Sequence, residues 1–419
     1  MGCFPNDLRN PRSLTIAVLL VAVLAGCGGS SGPSSTPAKR GETVSVVAPR
    51  SGCGSFALPA AQDSSGVLKT LPASYRTAYA GLPVKASAWS GFKPSHGPPY
   101  SVGIVWPGLV NPFISDALND LRTDLQRTGL VGSIRVTTTG NNVDIPQQLQ
   151  QLQQAIVRRP DLIIVAPLQP EAFTRAIDAA GKAGIPVITF LGAVDTKYAV
   201  NLDANSYISS ATVTSAIVRS LGGTAKLLTV EGYPSTTVDT EALDGVHAVL
   251  KNCPNARDTG SVVGAFVNAT AKGEITKFLA THPTGVDAVI QLGGMGPGVI
   301  EAFQSTGRAL PALGDIGASR GSLAYWRAHP DLTAVGTGQS ASGSATAITS
   351  VVKRMLTGDE PRVDSIIPPP SLITAANLDE WAQASWSLQT PGLADGPPHS
   401  FATEAYIDRL FTRNGSATG

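Results

Sequence analysis

Gly317-Ala318-Ser319-Arg320-Gly321 has the G-x-S-x-G spacing of a nucleophile elbow, and Asp379 and His399 follow in the order a hydrolase triad would need. A working serine of this kind also needs backbone donors for the oxyanion, usually from a glycine-rich segment. No glycine-rich segment that reads as an oxyanion hole precedes it, and His399 falls in a Pro/Gly-rich stretch. Ser319 is therefore read as structural, with a serine hydrolase kept as the lesser alternative. Gly293-Gly294-Met295-Gly296-Pro297-Gly298 stands before a helix but lacks both the Walker lysine and the G-x-G-x-x-G spacing. It reads as a tight turn that brings backbone close to a ligand. The five histidines form no metal-ligand pair at helical spacing, and no cysteine pair has finger spacing. No catalytic residue, metal or cofactor is expected.

A second set of residues recurs at one kind of place. Trp106, Asn111 and Phe113, then Gln169, then Phe190 and Leu191 each follow a short apolar run. Further on, Glu231 and Tyr233, Asn268, Met295 and Asp315 do the same. Aromatic faces with a few amides and carboxylates suit a small-molecule cleft. Trp106 is open between core packing and pocket wall, while Trp381 and Trp386 read as packing residues.

The apolar runs are strands. Ser101 to Trp106, Ile134 to Thr138, Leu162 to Ala166 and Ile185 to Phe190 alternate with helical stripes. Ile114, Leu118, Leu121 and Leu125 fall on one helix face that stops at Gly129, and Ile145, Leu149, Leu152 and Ile156 repeat the pattern before a helix over 170–183. A second series follows Asn205, with strands Lys226 to Val230, Ser261 to Val267, Val286 to Gln291, one near Leu313, and Leu332 to Thr337. Its helices fall over 206–221, around Leu243 to Val249, and over 271–281, 297–305, 321–328 and 342–356. Strand–helix alternation at this spacing implies parallel sheets covered on both faces, and two series of similar length imply two lobes. Ligands of such sheets bind beyond the carboxyl ends of the strands, which is where the aromatic and amide residues stand.

The 419 residues carry a formal net charge of +1, so nothing suggests a nucleic-acid surface. Arg9 and Arg12 precede an apolar stretch, Leu14 to Leu24, shorter than the ~20 residues of a spanning helix. It reads as the h-region of an export signal. Leu24-Ala25-Gly26-Cys27 resembles the bacterial lipoprotein box, which implies that Cys27 becomes the acylated N-terminus and holds the protein on membrane lipid. Residues 1–26 are then the signal and 27–40 a Gly/Ser/Pro/Thr-rich tether. Cys3 leaves with the signal, so Cys53 and Cys253 remain, either paired or as separate buried thiols. Residues 41–99 show no period and read as an extension on the body.

From residue 100 to about 380 the chain resembles the ribose/galactose-type periplasmic solute-binding proteins. The resemblance rests on Asn111-Pro112-Phe113, the stretch Arg159 to Phe190, Asp203 with Asn205, the segment THPTGVDAVIQ, and Gln339 with Gly343. It implies an α/β fold of two Rossmann-like lobes joined by a hinge, with crossovers near Asp203, Thr337 and residues 362–374. The lobes are expected at 100–203 with 338–362 and at 204–337 with 375–400, followed by a tail at 401–419. It also implies that Asn111, Phe113 and Gln339 contact the ligand, that an ABC transporter permease is the partner, and that no nucleic acid is bound. A monomer is expected, and the alternative class is a ligand sensor for a membrane signalling receptor.

The departures from that family concern charge. Leu191-Gly192 stand where sugar binders carry Asp-Arg, Ala242 where they carry Arg, and Gly293-Gly294 where they carry Asn-Asp. The last family Asp falls on Asp315 or, by strict alignment, on Ile316. Unpaired hydroxyls are costly to bury, so this pocket argues against an ordinary pentose or hexose. The expected contacts are Trp106, Asn111, Phe113, Gln169, Phe190, Tyr233, Met295 and Gln339, with one carboxylate from Asp203, Glu241 or Asp315.

Overall fold

The computed structural model describes residues 47–234, 236–397 and 400–413. The signal segment, Cys27, the tether and His399 lie outside the described residues. Among the described residues no helix is long and apolar enough to cross a membrane.

The first lobe is built on β1 (Tyr100–Trp106), β2 (Val131–Thr138), β3 (Leu162–Val165), β4 (Val187–Phe190) and β5 (Ala199–Leu202), with helices α1 (Pro112–Arg127), α2 (Ile145–Arg158) and α3 (Pro170–Lys182). β1, β3 and β4 are almost wholly buried because helices cover both faces of a parallel sheet. The start of α1 is fixed locally: Asn111 Oδ1 accepts from Ile114 N at 3.1 Å, and Pro112 takes the first turn. Phe113, Ile114, Ala117, Leu118, Leu121 and Leu125 form its buried face.

The second lobe contains α4 (Ser206–Ser220), β6 (Ala225–Glu231), α5 (Thr237–Leu250), β7 (Ala256–Val263), α6 (Asn268–Thr281) and β8 (Ala288–Gln291). It continues through α7 (Gly296–Ser305), β9 (Ala312–Asp315), α8 (Arg320–Ala328) and β10 (Ala334–Gly338). The chain then returns to the first lobe as α9 (Ala341–Leu356), whose Ala345, Ile348, Val351 and Met355 share a core with Leu118, Leu121 and Leu125. Two short strands finish the sheets, β11 (Ser365–Ile366) and β12 (Ser371–Ile373). The first sheet runs β11-β5-β4-β3-β1-β2, all parallel. The second runs β12-β10-β9-β8-β6-β7, with β12 antiparallel.

β11 and β12 span two and three residues, too few to carry a period in the sequence, while β5, four residues like β3 and β4, escaped the sequence reading. β7 occupies 256–263 rather than 261–267. It is an edge strand, half-buried or exposed beyond Ala256, and Arg257 to Ser261 are polar or glycine, so the apolar signal falls at its far end and spills into the following loop. That loop is no strand: Ala265 and Phe266 are left-handed, with φ of 54° and 57°.

The extension is a strap over both lobes. Cys53 is disulfide-bonded to Cys253 of the second lobe, Ser215 Oγ donates to Gly54 O at 2.6 Å, and Tyr207 OH donates to Ala57 O at 2.8 Å. Further on, Leu68, Leu71, Val84 and Trp89 join the first-lobe core. Tyr79 OH bonds the Ser365 carbonyl and the Tyr406 hydroxyl. At the seam, Asn205 Nδ2 donates to Ala78 O and Ala80 O, both at 3.0 Å. The C-terminal stretch makes the opposite journey, from Trp381 in the second-lobe core to Tyr406 and Leu410 in the first.

Candidate ligand-binding cleft

A cleft of about 440 Å³ opens where the carboxyl ends of the two sheets face each other. The first lobe lines it with Asn111 and Phe113 at the start of α1, together with Leu168 and Leu191. The second lobe supplies Tyr233, Phe266, Asn268 and the backbone of Gly293-Gly294. Gln339 enters from the β10–α9 crossover, and Leu388 to Leu393 close one side.

Phe113 does not stand alone. Its ring lies 6.1 Å from that of Phe190, which stacks at 5.8 Å on Trp106. Phe190 and Trp106 are therefore backing rather than wall. Trp106 is fully buried and its Nε1 donates to Ile114 O at 2.9 Å, so it is a core residue that braces α1. Opposite, the Phe266 ring covers two glycines. A Cβ on Gly232 would fall 2.0 Å from the ring, and one on Gly293 would fall 2.6 Å from it. Those positions admit only glycine while the ring stays in place.

The cleft's polar groups are mostly amides with a defined orientation. Asn111 Oδ1 is engaged by Ile114 N, and Asn268 Oδ1 accepts from Gly298 N at 3.1 Å. Among the described residues nothing accepts from either Nδ2, which leaves two donors free for a ligand. Gln339 likewise has its whole amide unengaged among the described residues. Among the described residues the one acidic side chain in the lining, Glu301, is paired with Lys272 at 3.1 Å.

The remaining expected contacts lie elsewhere. Met295 is fully buried in the second-lobe core beneath Gly264. Asp315 is 1% exposed and accepts from Gln291 Nε2 at 2.5 Å and Ser322 Oγ at 2.6 Å, and burial pushes its carboxyl up to about 6. Gln291 Oε1 in turn accepts from Gly293 N and Met295 N, so this buried network holds the glycine turn. Asp203 turns to backbone, accepting from Ala193 N and Ala204 N at 2.8 Å each. Glu241 stands near it, its carboxyl raised to about 8 by burial and then by the Asp203 charge. Gln169 borders a neighbouring depression with Val143, Asp144 and Thr236. Of the expected set, the structure thus brings Asn111, Phe113, Tyr233 and Gln339 into one cleft.

Phe266 escaped the sequence reading because its apolar neighbours mimic a strand. Leu388 to Leu393 escaped because they carry no period. Ser319 is 3% exposed and caps α8, where its Oγ accepts from Ser322 N at 3.1 Å. Asp379 is an exposed partner of Arg327 at 3.0 Å. The elbow spacing thus falls on a capping box.

Two parallel sheets joined by several crossovers around an interlobe cleft are the build of a type I solute-binding protein. The chain matches the periplasmic binding protein domain over residues 102–360, more than half its length, and it belongs to that family. The xylitol-binding protein of Mycolicibacterium smegmatis is 22% identical over 250 residues, covering 59% of this chain and 70% of its own. The ribose import binding protein of Bacillus subtilis is 21% identical over 216 residues, covering 51% of this chain and 69% of its own. Among solved structures, an ABC transporter solute-binding protein from Thermobispora bispora superposes with a TM-score of 0.62 at 23% identity, covering 68% of this chain and 88% of its own. One from Bacillus halodurans with bound myo-inositol gives 0.60 at 18%, covering 68% and 98%. The function is that of the family, extracytoplasmic binding of a small molecule.

Proposed function

We propose that the solute is neutral, carries one apolar face, and offers oxygen or nitrogen acceptors. The carrying observation is the cleft's inventory: Phe113, Phe266 and Tyr233 with donor amides from Asn111 and Asn268, and no unpaired charge. Aromatic faces reward flat or C–H-rich surfaces. Two fixed donors reward acceptors, whereas a dense array of hydroxyls would leave its own donors unpaired, which is costly in a closed site. A deoxygenated or modified sugar and a nucleoside-like compound both meet these terms. The relatives that carry xylitol or ribose in their names mark the chemical neighbourhood rather than the ligand.

The family's interlobe closure then joins the walls of the cleft around the solute, since Phe113 and Phe266 belong to opposite lobes. In this reading the protein acts by binding alone, as suits a member of a family of binding proteins. Acylated Cys27 is the membrane attachment in this reading, supported by the lipoprotein-box spacing of Leu24 to Cys27. The test is a thermal-shift screen with adenosine, phenyl β-D-glucoside, xylitol, D-ribose and D-glucose, followed by titration of wild type and Phe113→Ala. Removing the ring should weaken the best ligand at least ~10-fold, since burying a phenylalanine contributes ~1.5–3 kcal/mol. Tight binding of ribose or glucose that ignores Phe113→Ala would refute this reading.

A further inference from the structure

The family match ends at residue 360, yet six consecutive residues beyond it, Leu388 to Leu393, line the cleft. They are pinned on the second-lobe side by backbone. Arg320 N donates to Gly392 O and Ala394 N donates to Ala318 O, each at 3.0 Å. The chain passes so close to α8 that a Cβ on Gly321 would fall 2.3 Å from Leu388 O. On the first-lobe side, Leu393 packs against the core that contains Phe113 and Phe190. Leu393 also leans over the glycine turn, where a Cβ on Gly294 would come within 2.9 Å of its Cδ2.

Asp395 fastens this segment. Its Oδ2 pairs with Arg320 at 2.9 Å, at the start of α8. Its Oδ1 accepts from Ser340 Oγ and Ser342 Oγ, each at 2.9 Å, at the start of α9. One carboxylate thus ties helices of both lobes to the segment, at a helix N-terminus that favours negative charge. Burial works against that charge, but the two hydroxyls and the guanidinium outweigh it and hold the carboxyl below its ordinary range.

We propose that Leu388 to Leu393 form a specificity wall of the cleft, which admits solutes with an apolar face and discriminates against polyols, and that Asp395 is the positioning residue that holds the wall. The inference rests on the ligand class proposed above and names the part of the chain that enforces it. Leu388, Pro391 and Leu393 present apolar surface, and Gln389 adds an amide with no hydrogen bond among the described residues. Rejection comes from the apolar side chains: a hydroxyl directed at Leu388, Pro391 or Leu393 meets no acceptor on them and enters unpaired.

The experiment uses the full chain and two variants, Leu393→Ala and Asp395→Asn, with adenosine, phenyl β-D-glucoside, xylitol and D-ribose as probes in titration calorimetry. The readout is the ratio of affinities between the apolar-faced probes and the polyols. Both variants should shift that ratio toward xylitol and ribose by at least ~10-fold, the size expected when one buried apolar contact is lost. Hydrogen exchange supplies a ligand-free readout: Asp395→Asn should lose protection at the Arg320 and Ala394 amides. Circular dichroism separates a folded variant from a failed one, and Leu393→Ala leaves the Asp395 tie intact. If wild type prefers xylitol or ribose, the ligand class is wrong, and the wall is still judged by whether the ratio moves in Leu393→Ala. An unmoved ratio in both variants overturns the wall, including the case in which wild type and variants bind none of the probes. Unchanged protection in Asp395→Asn overturns its positioning role.

Discussion

Cys53→Ala should destabilise the protein substantially while leaving the cleft intact. The bridge closes a loop of 200 residues, and the chain-entropy relation gives about 5 kcal/mol for that length. That figure is a ceiling, because Ser215, Asn252 and Tyr207 still bond the strap at Gly54, Ser55 and Ala57 without the bridge. The expected loss is ~2–4 kcal/mol, the usual range for removing a native disulfide. The variant keeps Cys253 as a buried thiol, so the second-lobe core loses only the packing of the Cys53 sulfur. Urea unfolding followed by tryptophan fluorescence provides the assay, with Trp89 reporting on the strap and Trp106, Trp326 and Trp381 on the cores. At a slope of ~3 kcal/mol/M, a loss of ~3 kcal/mol moves the midpoint by ~1 M. A midpoint within ~0.2 M of wild type, with reduction equally without effect, would show that the strap docks without needing the bond and that the entropy argument fails here.

Three further outcomes follow from the site and its surroundings. Glu241 keeps its proton in the folded state up to about pH 8, whereas the unfolded chain releases it near 4.5, so the folded state holds more protons in that window and stability falls as pH rises through it. Glu241→Gln should therefore be more stable than wild type at pH 8 and no more stable at pH 4; thermal unfolding at both pH values checks this, and an equal gain at both would sink the burial argument. Ser319→Ala removes a helix cap and should cost ~1 kcal/mol in denaturant titration, while a fluorophosphonate probe should label neither protein; labelling at Ser319 would reinstate the hydrolase. Mass spectrometry of membrane-extracted protein should find a diacylglyceryl group on Cys27, and a Cys27 free of lipid in wild type would remove the membrane attachment.

Much of the fold was legible because its signals are local. The α1 stripe Ile114, Leu118, Leu121 and Leu125 and the runs of β1 and β3 declare a covered parallel sheet without any partner sequence. The cleft was legible in part, at Asn111, Phe113, Tyr233 and Gln339, because strand ends point to it. The carboxylates misled. Asp203 and Asp315 occupy strand ends, but a side chain there can turn back to the backbone, and no spacing distinguishes that from facing a ligand. Phe266 was illegible for a related reason: its left-handed backbone is fixed by the fold, and its sequence looks like strand. Tertiary placement alone brings Leu388 to Leu393 to the cleft, since nothing in their sequence marks a wall.

The first lobe's core draws on Tyr79, Leu121, Ile348, Ile367, Tyr406 and Leu410, residues from almost the whole length of the described chain. Five of the second lobe's six strands, β6 to β10, come from one continuous stretch between Ala225 and Gly338. Assembly during synthesis cannot therefore follow the order of the chain. The second lobe has five of its six strands available once residue 338 has emerged, whereas the first must wait for the last dozen described residues before Tyr406 meets Tyr79. Such distant pairings fold slowly and leave apolar strands uncovered in the interval. The first lobe's core is therefore complete only after Tyr406 and Leu410 have joined it, long after its first five strands are made.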